Sequence, residues 1–102
     1  MEIKNLEQLK EKLTENKLTV VDFFATWCGP CKMLTPIIEE LEREINDVNF
    51  IKVNVDEFNE LASQFGVLSV PTLVFVKDGK EINRSVGFKS KNDLLNIINE
   101  IK

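Results

Sequence analysis

The sequence has no histidine and only two cysteines, Cys28 and Cys31, among its 102 residues. A structural zinc site needs four ligands, which are nearly always thiolate or imidazole groups. One chain cannot supply them, although two chains could together place four thiolates around a metal or an iron–sulfur cluster. We therefore predict that the chain holds no metal of its own.

Long apolar runs and an apolar N-terminus are also missing. Unbroken apolar runs are only a few residues long, such as Val20–Val21 and Val74–Val76, whereas a helix needs about 20 apolar residues to span a bilayer. Glu2 and Lys4 place charges where a signal peptide would need an apolar core. The sequence therefore predicts no membrane segment, and we expect a cytoplasmic protein.

Basic residues are in the minority. The sequence has 13 lysine and arginine residues and 17 acidic residues, which gives a net charge of −4. A surface that binds nucleic acid is normally basic, so the composition argues against a nucleic-acid partner. Repeats, low-complexity tracts and Gly- or Pro-rich linkers are absent as well. The length and a hydrophobic fraction of 43% suit one core. We expect a single domain over residues 1–102, and a monomer.

Four strands are predicted from β-branched and aromatic runs. They are Leu18–Ala25, Val48–Val55, Thr72–Lys77 and Glu81–Val86. Ile3 is assigned to a short edge strand ahead of them. The first run is apolar on both faces except at Asp22, which is typical of a strand covered by helices on both sides. Asp78-Gly79 predicts a two-residue hairpin turn between the last two strands.

Four helices are predicted from apolar side chains at helical spacing. They extend from Leu6 to about Asn16, from Cys31 to about Ile45, from Asn59 to Phe65, and onward from Ser90. Asn5 with Gln8, and Ser90, are the predicted capping residues, and Pro36 should kink the second helix. The order α-β-α-β-α-β-β-α predicts an α/β fold, with a central mixed parallel and antiparallel sheet and helices on both faces.

Both cysteines lie in the motif Cys28-Gly29-Pro30-Cys31, between a buried strand and a helix. A helix N-terminus favours an anion, so the Cys28 thiol should ionise readily. The three-residue spacing lets Cys31 meet it from deeper in the fold, while Gly29 and Pro30 allow and hold the close turn. A disulfide across so short a ring adds little stability, and cytoplasmic thiols are kept reduced. Redox exchange and metal binding remain open, and we favour exchange in which Cys28 attacks and Cys31 resolves.

The hexapeptide Trp27–Lys32, placed after Val20-Val21-Asp22-Phe23, resembles the active site of the thioredoxin family. The resemblance continues along the chain at Pro36, Lys52–Asp56, Ser69–Thr72, Lys77–Gly79 and Gly87. It implies a thioredoxin fold and a thiol–disulfide oxidoreductase that reduces disulfides in client proteins. It also implies re-reduction by a thioredoxin reductase, with no bound cofactor.

Asp22 lies in the middle of the first predicted strand. Because its neighbours on both faces are apolar, we predict that it is buried rather than facing solvent, and burial should raise its pKa. The resemblance places it beneath Cys31, where it would accept and return a proton, through water, as Cys31 resolves the mixed disulfide. In the family Lys52 would be its electrostatic neighbour, and the alternative for Lys52 is a side chain that extends to solvent.

The resemblance also implies a client-binding surface. In the family the proline that matches Pro71 is cis, faces the active-site disulfide and leaves the backbone of Val70 free to pair with an extended client. Trp27 could be an ordinary core aromatic, but the resemblance makes it part of this surface. The implied members are Trp27, Gly29, Pro30, Val70, Pro71, Gly87 and Phe88.

Two positions bear on the kind of redox protein. The family commonly has a tryptophan two residues after the buried aspartate, where this chain has Phe24, which leaves the packing beneath the active site open. Disulfide isomerases and strong oxidants usually have a histidine where this chain has Pro30, which favours a reductant. The alternatives are an oxidase or isomerase, and a binding module that does not use its thiols.

Overall fold

A four-stranded sheet lies at the centre of the protein, which a computed structural model describes over residues 1–102. Its strands are β1 (Leu18–Phe24), β2 (Val48–Asn54), β3 (Thr72–Lys77) and β4 (Lys80–Val86), in the order β2-β1-β3-β4. Strand β1 runs parallel to β2 and antiparallel to β3, and β4 is antiparallel to β3. The predicted mixed sheet is therefore confirmed.

Four helices cover the two faces of the sheet. They are α1 (Leu6–Leu13), α2 (Gly29–Glu44), α3 (Asn59–Gln64) and α4 (Lys91–Ile101). Helices α2 and α4 contribute Leu34, Leu94 and Ile98 to the core on one face. Helices α1 and α3 contribute Leu9 and Ala62 to the core on the other. The prediction of helices on both faces is confirmed.

Strand β1 is buried along its whole length because it lies between these two cores. Successive side chains of a strand point to opposite faces. Val20 accordingly joins the core under α2 and α4, while Val21 and Phe23 join the core under α1 and α3. The apolar residues on both faces of this segment thus match its central position in the sheet.

Helix α1 begins where the sequence predicts and ends earlier. The Oδ1 of Asn5 accepts the backbone N–H of Gln8 at 3.0 Å, and the Oε1 of Gln8 accepts the N–H of Lys4 at 2.6 Å. The helix ends at Leu13 rather than near Asn16. Leu13 is the last residue of the apolar stripe, and the Thr14 hydroxyl donates to a carbonyl of the final turn, so nothing apolar anchors a further turn.

Other boundaries differ by a residue or two from the predicted ones. Strands β1 and β2 end one residue earlier than predicted, and β4 begins one residue earlier. Helix α2 begins at Gly29, two residues before the predicted start, because Cys28 is its N-cap. Ile3 is buried, but the expected edge strand is only an isolated bridge between Glu2 and Lys52. It cannot lengthen because the chain turns into the cap of α1.

The remaining local predictions concern turns and caps. Asp78 and Gly79 have φ values of 53° and 76°, which match a two-residue hairpin turn of the type that needs positive φ at both positions. The Ser90 hydroxyl accepts the N–H of Asp93 at 3.1 Å and so caps α4 as predicted. Helix α2 continues through Pro36.

None of the four helices combines the length and the apolar character that crossing a bilayer requires.

Candidate functional site

The two cysteines lie at the first turn of α2, immediately after the loop that leaves β1. Cys28 is the N-cap residue of the helix, and its Sγ accepts the backbone N–H of Cys31 at 3.1 Å. The two residues form a disulfide, with their Cα atoms 5.3 Å apart. This separation lies within the usual range for a disulfide, so the pair is held ready for exchange by one turn of helix.

Both cysteines are buried to nearly the same extent, with exposures of 4% for Cys28 and 3% for Cys31. The expectation that Cys31 lies deeper therefore holds only by a slight margin in the disulfide form. Both pack against Phe24 and Ala25 at the end of β1. The intervening Gly29 and Pro30 are exposed. The turn between the two buried cysteines therefore lies at the surface.

The loop before β3 lies against the disulfide. The carbonyl oxygen of Val70 is 3.7 Å from the Sγ of Cys28, and neither the N–H nor the C=O of Val70 bonds to another backbone group. The Val70–Pro71 peptide bond is cis, as the resemblance implies. Pro71 itself is buried, and its carbonyl accepts the N–H of Gly87 at 2.8 Å. This hydrogen bond attaches the start of the loop after β4 to the site.

An apolar groove of about 140 Å³ lies beside Val70, and neither cysteine is part of its lining. It is lined by Trp27, Val55, Ala62, Val67, Leu68, Ser69 and Val70. Trp27 is 70% exposed and Leu68 98% exposed, so both present large apolar surfaces to solvent. The indole Nε1 of Trp27 donates to Asp56 at 3.0 Å, which fixes the ring at the rim of the groove. Phe88, which follows Gly87, is also exposed.

Asp22 is buried in the centre of the sheet, as the sequence predicts. It is 3% exposed, and its Oδ1 has no hydrogen-bond partner. Burial raises the pKa of Asp22 from 3.8 to about 6, and the positive charge of Lys52 offsets part of that rise. In the sheet Asp22 lies directly between Lys52 on β2 and Leu73 on β3. The sheet register therefore brings these two ionisable side chains together.

Lys52 does not extend freely into solvent. Its Nζ donates to the Oγ1 of Thr35 on α2 at 3.3 Å, and it lies 4.4 Å from the centre of the Phe24 ring. The Thr35 hydroxyl in turn donates to the carbonyl of Cys31 at 3.1 Å. Lys52 is absent from the close ion pairs of the protein, so it acts on Asp22 from a distance. The Phe24 ring therefore supports the ammonium group of Lys52 from one side.

Sequence reasoning missed several residues of the site, among them Asp56, Leu68 and Thr35. Asp56 is the last residue of the matching run Lys52–Asp56 and lies two residues after β2, and a polar residue just beyond a strand could have suggested its contact with the indole of Trp27. Leu68 precedes Val70 and is apolar in a loop, which is a weak sign of a binding surface. Thr35 has no local signal, because its partner Lys52 belongs to a different element.

No group of three or more histidine, cysteine or acidic side chains is arranged to hold a metal ion.

Comparison with known proteins identifies the relatives of this chain. The sequence profile of the family described as Thioredoxin matches residues 1–100. A thioredoxin from Chlamydia caviae is 54% identical over 83 residues, which is 81% of each chain. A thioredoxin from Bacillus subtilis is 42% identical over 99 residues, covering 96% of this chain and 95% of the relative.

Solved structures agree with the sequence relatives. A mutant thioredoxin from Halobacterium salinarum superimposes with a TM-score of 0.92 at 36% identity, covering 98% of this chain and 88% of the other. A thioredoxin from Nicotiana alata gives 0.88 at 43% identity, covering 98% and 90%. These matches extend over nearly the whole chain and include the strand, turn and helix that hold the cysteines. The chain therefore belongs to the thioredoxin family, and its Cys28–Cys31 pair makes it a protein-disulfide oxidoreductase.

Proposed function

We propose that this chain reduces disulfide bonds in client proteins, with Cys28 as the attacking thiolate and Cys31 as the resolving thiol. The observation that carries the proposal is the position of Cys28 Sγ at the N-terminus of α2, where it accepts the N–H of Cys31 at 3.1 Å. In the dithiol form the same N–H and the helix dipole stabilise a Cys28 thiolate. The thiolate is the form that attacks disulfides.

The exchange takes two steps. The Cys28 thiolate attacks one sulfur of the client, a Cys28–client disulfide forms, and the other client sulfur leaves as a thiolate and takes up a proton. Cys31 then loses its proton and attacks Cys28 Sγ, which forms the Cys28–Cys31 disulfide and releases the second client thiolate to be protonated. Two electrons and two protons pass from the protein to the client. The short path between the two sulfurs makes the second step intramolecular and therefore fast.

Asp22 is the proposed proton acceptor for Cys31, and the donor when the reaction runs in reverse. Cys31 packs against Phe24, and Phe24 shares a face of β1 with Asp22, so the thiol and the carboxyl lie on the same side of the sheet. A group with a pKa of about 6 is mostly ionised near neutral pH and still takes up a proton readily. A water molecule is the proposed link between them, and Lys52 is the proposed electrostatic partner of Asp22.

The client is proposed to bind as an extended segment beside the disulfide. The N–H and C=O of Val70 are free of backbone partners, so a client strand can pair with them. An apolar client side chain fits the groove between Trp27 and Leu68. The other residues proposed for this surface are Gly29, Pro30, Pro71, Gly87 and Phe88.

The proposed partners follow from the same chemistry. Each turnover leaves the protein oxidised, so a thioredoxin reductase is the proposed source of new electrons, and the protein itself carries no cofactor in this scheme. We propose that residues 1–102 act as one domain and as a monomer. The proposed location is the cytoplasm, where a reducing thiol pool suits a disulfide reductant.

The proposal is tested by trapping the mixed disulfide. Cys31→Ser leaves Cys28 able to attack and removes the group that releases the client, so a covalent adduct with insulin, whose disulfides serve as the probe, should accumulate. Non-reducing gel electrophoresis and mass spectrometry measure it. Cys28→Ser is the matched control and should form no such adduct. The scheme is wrong if Cys31→Ser forms no adduct at Cys28 under conditions in which the parent protein reduces insulin.

The reduction potential separates a reductant from an oxidant. Equilibration of the Cys28–Cys31 pair with a thiol–disulfide buffer, followed by the fluorescence of Trp27, should give a value near the roughly −270 mV that is typical of thioredoxins. A value of about −180 to −120 mV would instead indicate an isomerase or an oxidant. Such a result would contradict the proposed direction of electron flow and would leave the cysteine chemistry intact.

A further inference from the structure

Thr35 connects the active-site helix to Lys52 on β2. Its hydroxyl donates to the carbonyl of Cys31 at 3.1 Å and accepts from the Lys52 ammonium at 3.3 Å. From these two contacts we propose that Thr35 is a positioning residue, which holds the Lys52 ammonium against α2 so that it faces Asp22 as a fixed charge without forming an ion pair with it. The functional meaning of this role rests on the proposed proton transfer by Asp22.

The bond to Cys31 alone would be unremarkable as a local feature, because threonine hydroxyls in helices often donate to the carbonyl four residues back. The contact with Lys52 is the independent observation. That hydroxyl oxygen is the only side-chain hydrogen-bond acceptor of the ammonium group, whose other close neighbour is the Phe24 ring at 4.4 Å. An aromatic face attracts a cation without fixing its direction as firmly as a hydrogen bond does. Thr35 therefore decides where the charge lies.

The position of this charge matters because Asp22 has few other polar neighbours. Lys52 faces it from β2, and its positive charge is the one that lowers the pKa of Asp22. Strand β3 presents the apolar Leu73. Helix α2 brings the sulfur atoms of Cys28 and Cys31 to this side of the sheet, and these titrate only in the dithiol form. In the disulfide form the effect of Lys52 on Asp22 can thus be measured alone.

Loss of the Thr35 hydroxyl should release Lys52 toward water. A lysine without this acceptor gains by extending its ammonium group to solvent, which moves the positive charge away from the carboxylate. Asp22 then loses a favourable interaction of its charged form, and its pKa should rise above the value of about 6. Removing the charge by Lys52→Met should raise the pKa in the same direction.

The experiment follows the Asp22 carboxyl by carbon NMR in the oxidised protein through a pH titration. The variants are Thr35→Val, which removes the hydroxyl and keeps the shape, Thr35→Ser, which keeps the hydroxyl, Lys52→Met, and the Thr35→Val/Lys52→Met pair. Thr14→Val is the matched control, since the Thr14 hydroxyl also donates to a helix carbonyl and contacts no lysine. Thermal unfolding of each variant verifies that it is folded.

We expect Thr35→Val to reproduce the larger part of the pKa rise caused by Lys52→Met, and to add nothing to it in the double variant. Thr35→Ser and Thr14→Val should titrate like the parent. The inference is overturned if Thr35→Val leaves the Asp22 titration unchanged or lowers its pKa, or if it shifts the titration equally with and without Lys52.

The pH dependence of insulin reduction provides the second readout and separates the inference from the proposed function. If Thr35→Val moves the pH profile together with the Asp22 titration, the result supports both the positioning role of Thr35 and the proposed proton transfer by Asp22. If Asp22→Asn leaves the pH profile of the parent unchanged, Asp22 does not transfer the proton and that part of the proposed function fails. The NMR titration still decides the role of Thr35 in that case, because it measures the carboxyl and not the reaction.

Discussion

Replacing Asp22 by asparagine should stabilise the protein near neutral pH. The side chain is 3% exposed, its Oδ1 has no hydrogen-bond partner, and burial raises its pKa from 3.8 to about 6. A group whose pKa is raised by folding binds its proton more tightly in the native state than in the unfolded chain. The free energy of unfolding therefore falls as the pH rises from about 4 to about 6.

The size of the effect follows from the same pair of values. One pKa unit corresponds to about 1.36 kcal/mol. The rise from 3.8 to about 6 therefore lowers the free energy of unfolding by about 3 kcal/mol once Asp22 is ionised in both the native and the unfolded state. Asp22→Asn removes the ionisation and keeps the shape. The free energy of unfolding of Asp22→Asn should exceed that of the parent by about 2–3 kcal/mol near pH 7. This difference should disappear below about pH 4, where the aspartate is protonated in both the native and the unfolded state.

Urea denaturation of the oxidised protein at a series of pH values measures this difference, at constant ionic strength. Asp47→Asn is the control of opposite sign, because Asp47 is exposed at the surface and the hydrogen bond from Lys102 lowers its pKa. The Asp47–Lys102 pair stabilises the protein above the pKa that Asp47 has in the unfolded chain, and this stabilisation is lost as the pH falls. The reasoning is refuted if Asp22→Asn is no more stable than the parent near pH 7, or if its advantage is the same at about pH 3 and about pH 8.

Two further predictions concern the supports around the site. The Arg84 guanidinium donates to the carbonyls of Phe65 and Gly66 at the end of α3, just before the loop that lines the groove. Arg84→Met should therefore lower the free energy of unfolding by about 1–2 kcal/mol in urea titrations, with Arg84→Lys intermediate, and an unchanged midpoint would contradict the role of these bonds. Ser90→Ala removes the cap bond to the N–H of Asp93 at 3.1 Å and should cost about 1 kcal/mol in the same assay. A loss below about 0.3 kcal/mol would mean that water replaces the cap.

The kinds and order of the elements could be predicted because each rests on neighbours in the chain. Ser90 caps its helix through the residue three positions later, and the Asp78-Gly79 turn needs only its own two residues. The ends of the elements were less predictable. Helix α1 stops at Leu13 because no later side chain packs on the core, and Ile3 makes one bridge instead of a strand because the next residues enter α1. Both results depend on what surrounds the segment.

The features of the site likewise divide into those that neighbouring residues in the chain predict and those that only the fold brings together. Cys28 and Cys31 could be paired from the sequence because three residues within one helical turn bring their side chains together. Burial of Asp22 could be predicted because the apolar residues around it lie on both faces of the strand. Its pairing with Lys52 came from a family resemblance, since 30 positions separate them in the chain and only the register of β1 against β2 makes them neighbours. The contact of Lys52 with Thr35 had no signal at all.

The sequence by itself determined the dithiol motif, its place at a helix N-terminus and the lack of histidine or further cysteine ligands within one chain. These are properties of residues close together in the chain, and they act within a turn or a strand. Only the tertiary structure decided that Val70 lies against Cys28, that Thr35 holds the ammonium of Lys52 and that one oxygen of Asp22 has no partner. Such contacts join distant segments, and their electrostatic effects depend on how completely the packed helices exclude water from the sheet.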